Sequence, residues 1–177
     1  MFRCDYCGTQ FIEHQPNCPN CGAQVQARIG GTDAKAEAVG APKSIRKLCE
    51  PFDDEDSFYF DDSIDEKRMK AARERFNIPP DEKIWLLYDN TLLGTNREGF
   101  AVCESGLYWR NDWTSASKRT CLSWNDFASR TISLKEMEIK LGRGDNIGVA
   151  GAGEKKVMIA ILNLLNALKE EVSSNAA

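Results

Sequence analysis

Four cysteines stand near the start of the chain in the pattern Cys4-x2-Cys7-x10-Cys18-x2-Cys21. No other feature limits the fold as strongly. Two matching knuckles, each followed by glycine at Gly8 and Gly22, bring four thiolates toward one ion. Glycine permits the positive φ such a turn needs, and Pro19 pre-sets φ in the second knuckle. Zinc suits four thiolates in a tetrahedral shell at about 2.3 Å. The rival readings are disulfides or a redox pair; the redox motif calls for one Cys-x-x-Cys beside a βαβ pattern, not two symmetric pairs. A Cys4 shell leaves no open position for water or substrate, so this metal argues for scaffold rather than catalysis. It also explains how residues 1–25 could fold, since metal binding supplies the free energy that so small a core lacks. His14, the single histidine, lies between the knuckles and reads as a solvent-facing loop residue rather than a ligand.

The whole chain has 177 residues and a formal charge of -4. That balance argues against broad binding to nucleic acid or anionic lipid, which depends on clustered Lys and Arg. Of the seven cysteines, Cys49, Cys103 and Cys121 are isolated from one another in sequence. With no apolar leader after Met1-Phe2-Arg3-Cys4, the economical expectation is reduced thiols in a cytoplasmic protein. No stretch approaches the roughly 18 apolar residues of a membrane span.

After the cysteine module, residues 26–50 read as a flexible linker, small and polar around Gly30 to Pro42, although Ser44 to Leu48 could already belong to the next domain. Residues 51–62 form an acidic-aromatic connector, and two readings stand for it. It is solvated, or its aromatics Phe58, Tyr59 and Phe60 dock onto the main domain or a partner. A helix is predicted over 63–77, with Ser63 as N-cap, Glu66 completing a capping box, an apolar stripe at Met69, Ala72 and Phe76, and Pro79-Pro80 as the stop. Residues 83–150 then read as short strands: 84–88, 100–104, 107–110, 120–124, 131–134, 138–141 and 146–150. A closing amphipathic helix is predicted over 154–172, with Val157, Ile161, Leu164, Leu165 and Leu168 on its apolar face. Strands at this spacing without intervening helices predict an α+β, mainly β architecture: an antiparallel barrel or sandwich and one terminal helix.

The local sequence resembles bacterial pleckstrin-homology-like (PH-like) proteins. The stretch Ile78 to Thr91, including Trp85-Leu86-Leu87-Tyr88-Asp89, is similar to their entry into the first strand. Gly94 to Val102 and Glu104-Ser105-Gly106-Leu107-Tyr108-Trp109-Arg110-Asn111 are similar to the "LYD-T-G-(x)3-G" and "T(D/E)KGIYWRN" patterns of that family. Several members also carry an N-terminal zinc ribbon. The resemblance covers about residues 64–170. It implies seven strands in two nearly orthogonal sheets, capped by the C-terminal helix. Ser105 departs from the family's usual lysine or aspartate, and Asn111 to Arg119 is a polar loop in which Trp113 is a candidate contact or a local packing residue.

A catalytic constellation cannot be assembled from these residues. With one histidine, in the cysteine module, His-based triads and His metal sites are nearly excluded. The glycine-rich stretch from Gly142 to Lys156 fails the phosphate-loop template, because Glu154 follows Gly153 and Lys156 stands where Ser or Thr belongs. Lys155 and Lys156, at a helix start, could hold an anion; otherwise the stretch is a strand-to-helix turn. The first hairpin loop, Leu92 to Gly99, offers Arg97 offset by Glu98, too little for a phosphoinositide headgroup. The expectation is therefore a non-catalytic cytoplasmic adaptor. It would bind protein partners through the PH-like domain and the structural zinc ribbon, and take neither a small-molecule substrate nor a membrane. Nucleic-acid binding through the ribbon, near Arg3 and Arg28, and a small-ligand or anion sensor are the alternatives.

Overall fold

The apolar run Ile84-Trp85-Leu86-Leu87-Tyr88 becomes a strand with a hydrophobic core on each side, and the domain is organised around it. The computed structural model describes residues 2–3, 10–11, 43–53, 57–91, 97–111 and 117–174. Two short strands, β1 (Phe2–Arg3) and β2 (Gln10–Phe11), pair antiparallel, Phe2 opposite Phe11 and Arg3 opposite Gln10. They stand on either side of Cys4 and Cys7 in sequence. The four cysteines predicted as ligands, Cys4, Cys7, Cys18 and Cys21, lie outside the described residues, as do His14 and Trp113.

Residues 26–42 of the predicted linker over 26–50 lie outside the described residues, and its C-terminal end, where Ser44 to Leu48 also reads as part of the next domain, is replaced by a helix, α1 (Lys43–Cys49). Its Ile45 and Cys49 are fully buried, so this segment belongs to the domain. Of the two readings of the 51–62 connector, the solvated one is corrected and docking onto the main domain holds: β3 (Phe58–Phe60) is an edge strand of a five-stranded antiparallel sheet. The density of aspartates around it hides a strand whose Phe58 and Phe60 point into the core on a period of two. Helix α2 (Glu66–Phe76) begins later than predicted. Asp65, not Ser63, is its N-cap and accepts from the Arg68 N–H at 2.8 Å. Ser63 instead accepts from the Phe60 N–H at 2.7 Å, bracing the turn before the helix. The helix ends on Asn77, whose φ of 56° is the left-handed cap that asparagine tolerates.

The sheet runs in the order β3, β4 (Ile84–Asp89), β5 (Gly99–Cys103), β6 (Gly106–Arg110), β7 (Cys121–Ser123). One face buries Leu86, Tyr88, Phe100, Val102, Leu107 and Trp109 in the main core. The other buries Leu87, Ala101 and Tyr108 beneath Ala72 and Phe76 of α2. A sheet covered on both faces explains the unbroken apolar run. A register shift between Ile84 and Leu86 puts Ile84 on the same face as Leu87. Gly99, opposite Asp89, has φ +137°, and a side chain there would run into the Tyr88 carbonyl.

Between the two sheets lies an element absent from the predicted strand list, α3 (Trp124–Ala128), capped by Ser123, which accepts from the Asp126 N–H at 3.2 Å. The second sheet holds β8 (Ser133–Lys135), β9 (Glu138–Gly142) and β10 (Asp145–Gly148) in the order β10, β9, β8. The β9–β10 connection is a two-residue turn with positive φ at Arg143 (55°) and Gly144 (87°), the combination of a type I′ hairpin. Among the described residues no ladder joins the two sheets, so they do not form the closed barrel expected as one alternative; α3 separates β7 from β8 in the chain. The closing helix, α4 (Lys155–Ser174), packs on α1, α3 and β8 through Ile161, Leu165 and Leu168. The architecture is α+β: two antiparallel sheets and a C-terminal helix. Among the described residues no helix is long and apolar enough to cross a membrane.

Candidate functional site

The two sheets are joined by side chains. Asn111, just past β6, donates from Nδ2 to the Asn146 carbonyl at 2.9 Å, and its Oδ1 accepts the Gly148 N–H at 2.9 Å. Ser117 Oγ accepts the Asn146 N–H at 3.1 Å. These are the outward-facing backbone groups of β10, so two polar residues stand where a neighbouring strand would bond. They close that edge of the sheet.

The opposite edge, β8, is treated differently. Lys135 lies opposite Glu138 across a two-residue turn, and Leu134 lies opposite Ile139. Hydrogen-bonded pairs alternate in an antiparallel ladder, so the N–H and C=O of Leu134 point away from β9. The hydrogen bonds of the described residues give them no partner. Met137, in the turn that ends β8, is 57% exposed, and its carbonyl accepts the Val149 N–H at 2.9 Å, close to where α4 begins. Exposed Ile159 lies on the first turns of that helix, where the predicted anion pair Lys155 and Lys156 is also exposed. A strand edge whose backbone groups have no partner among the described residues can accept an extended peptide.

The aromatic residues singled out in the sequence fall elsewhere. Phe58 (4% exposed) and Phe60 (9%) are core residues, so they dock onto the domain itself and offer nothing to a partner. Tyr59, on the other face of β3, is half-buried beneath the Arg68 guanidinium, 4.3 Å from its ring centroid. The sequence reading missed the β8 edge. Its signal was present in the short polar segment between Ile132 and Glu138, but an open edge depends on which strands pair.

Three polar clusters complete the inventory. Asp61, 9% exposed and at φ 42°, accepts from Arg46 Nε at 2.8 Å and pairs with Lys83 Nζ at 2.6 Å. Burial works to raise its carboxyl, but these two cations outweigh it and hold it below the usual carboxylate range. Glu82 accepts the Ser105 N–H at 2.6 Å, and burial raises its carboxyl despite that bond. Arg130 and Asp145 form a buried ion pair at 2.9 Å. The thiols of Cys49, Cys103 and Cys121 are free and buried; burial pushes Cys49 up to about 12 and Cys103 well above its ordinary value, so neither of these two is poised as a thiolate nucleophile. Among the described residues no three His, Cys, Asp or Glu side chains gather to hold a metal ion.

Comparison with protein-family models, with curated proteins and with solved structures yields no match.

Proposed function

We propose that the chain is a non-catalytic adaptor that binds a protein partner by strand addition, built from a structural zinc ribbon and a PH-like domain. The observation that carries this reading is the unequal treatment of the second sheet's edges: β10 is closed by Asn111 and Ser117, whereas Leu134 on β8 keeps its backbone groups outward beside Met137. Main-chain hydrogen bonds on such an edge give affinity, and neighbouring side chains give specificity. The PH-like part of the proposal draws support from the seven strands β4 to β10, four in one sheet and three in the other, followed by α4.

For the ribbon, the donor set fits zinc. Four cysteines supply soft thiolates and a closed shell. The β1–β2 pair flanks the first two of them. Zinc bound there would supply folding free energy and no chemistry. A ribbon and a domain in one chain raise each other's effective concentration at a shared partner.

The test is affinity capture from native lysate, run with and without nuclease treatment, with wild type beside Leu134→Pro and Cys4→Ser/Cys7→Ser variants. Proline removes the outward N–H of Leu134 without touching the β8–β9 ladder, and a thermal melt checks that the variant folds. A defined partner kept by wild type and lost by Leu134→Pro is the expected result. Equal capture by that variant sinks the edge reading, and recovery of nucleic acid alone replaces it with binding through the ribbon.

A further inference from the structure

Arg130 buries two side-chain nitrogens that have no hydrogen-bond partner among the described residues. Its side chain is 1% exposed, and Nη1 is already taken by Asp145 Oδ2 at 2.9 Å and the Gly142 carbonyl at 3.2 Å. Nε and Nη2 are the two buried without such a partner. A buried donor left unmade is expensive, and a guanidinium is the side chain whose fork best fits an oxyanion.

Its surroundings are cationic. Arg119 and Arg143 both lie close enough to oppose its charge. Lys118 lays its stem over Gly144, with Cε 2.8 Å from where a Cβ would sit, and its N–H bonds the Gly144 carbonyl at 3.3 Å. Two carboxylates face these four cations. Asp145 accepts the Arg119 N–H at 3.0 Å as well as Arg130, and Asp126 stands 3.3 Å from Arg119. Four positive and two negative charges leave the cluster at +2. Lys118 and Arg143 are exposed, and the positive φ of Arg143 in the β9–β10 turn brings it to this corner.

We propose that Lys118, Arg119, Arg130 and Arg143 form a receptor for a phosphate-class oxyanion, whose oxygens take the Nε and Nη2 hydrogens of Arg130 while Lys118 and Arg143 close over it from solvent. The site is separate from the β8 edge and goes beyond the adaptor reading. A monatomic anion cannot bridge the guanidinium fork as a polyoxyanion does, so the site discriminates phosphate from chloride.

The experiment is a titration of the full chain with inorganic phosphate against sodium chloride at matched ionic strength, following the Arg130 Nε–H signal by 15N NMR and the melting temperature. Vesicles of phosphatidylcholine with phosphatidic acid are run in parallel. The expected result is a saturable movement of the Arg130 signal. A Lys118→Ala/Arg143→Ala variant, altered only at exposed positions, should bind roughly tenfold more weakly, as loss of a charge-assisted hydrogen bond requires. Response to free phosphate assigns a soluble anion, and response to the vesicles alone assigns a membrane-borne one. No saturable response to either, or one that leaves the Arg130 signal still or persists unchanged in the variant, overturns the proposal.

Discussion

Asn111 and Gly148 lie 37 residues apart in sequence and 2.9 Å apart at their hydrogen bond, and through this bond a side-chain amide at the end of the first sheet completes the edge of the second. Asn111→Ala removes both the acceptor for Gly148 and the donor for Asn146. The expected loss is about 2 kcal/mol of folding stability, two hydrogen bonds at the usual net value. Urea unfolding measures it, and a change near zero would mean that water replaces the amide without cost.

Asp61 carries a pH dependence. Its folded carboxyl is held below the ordinary value by Lys83 and Arg46, against the opposing effect of burial. Its contribution is therefore fully present above the unfolded carboxylate value of about 3.9 and fades as pH falls through the lowered folded value. The cations are 39% and 47% exposed, so solvent screening limits the contribution to about 1 kcal/mol. Asp61→Asn should lower the urea midpoint at neutral pH and flatten its decline below about pH 4. Parallel wild-type and variant curves would show that the decline comes from other groups.

Phe58 and Leu164 test the two ends of the main core. Both are buried, at 4% exposure each. Phe58→Ala should cost about 3–5 kcal/mol and Leu164→Ala about 2–5 kcal/mol. If Phe58→Ala is silent in thermal or urea unfolding, β3 contributes nothing and the acidic-aromatic segment is a connector after all.

Zinc is the fourth test. The purified chain should carry one zinc per molecule, and Cys4→Ser or a strong chelator should remove it and the β1–β2 pairing. The melting of the domain from Lys43 to Ser174 should not move. Loss of both together would make the cysteine module part of the domain's own core.

Sequence patterning revealed those elements whose burial is set locally. β4, β5, β6 and α4 appear because long apolar runs and a broad helical stripe have few other homes. β3 was obscured because three aromatics sit among aspartates, and only pairing with β4 turns that composition into a strand. Trp124 reads as the end of an alternating strand over 120–124 until Ser123 is seen as a helix cap, a Ser-x-x-Asp signal that was available but outweighed by periodicity. The cysteine pattern was legible at once. The β8 edge and the Arg130 cluster were not, because each depends on groups brought together across a dozen to several dozen residues.

Helix α1 opens the domain and α4 closes it, and Ile45 from the first shares one core with Leu165 and Leu168 from the last. A ribosome makes these parts at opposite ends of the domain's synthesis. Until α4 has left the exit tunnel, the side of the main core that Ile161, Leu165 and Leu168 fill stays uncovered. The nascent domain must wait, open, for its final twenty-residue helix before it can fold.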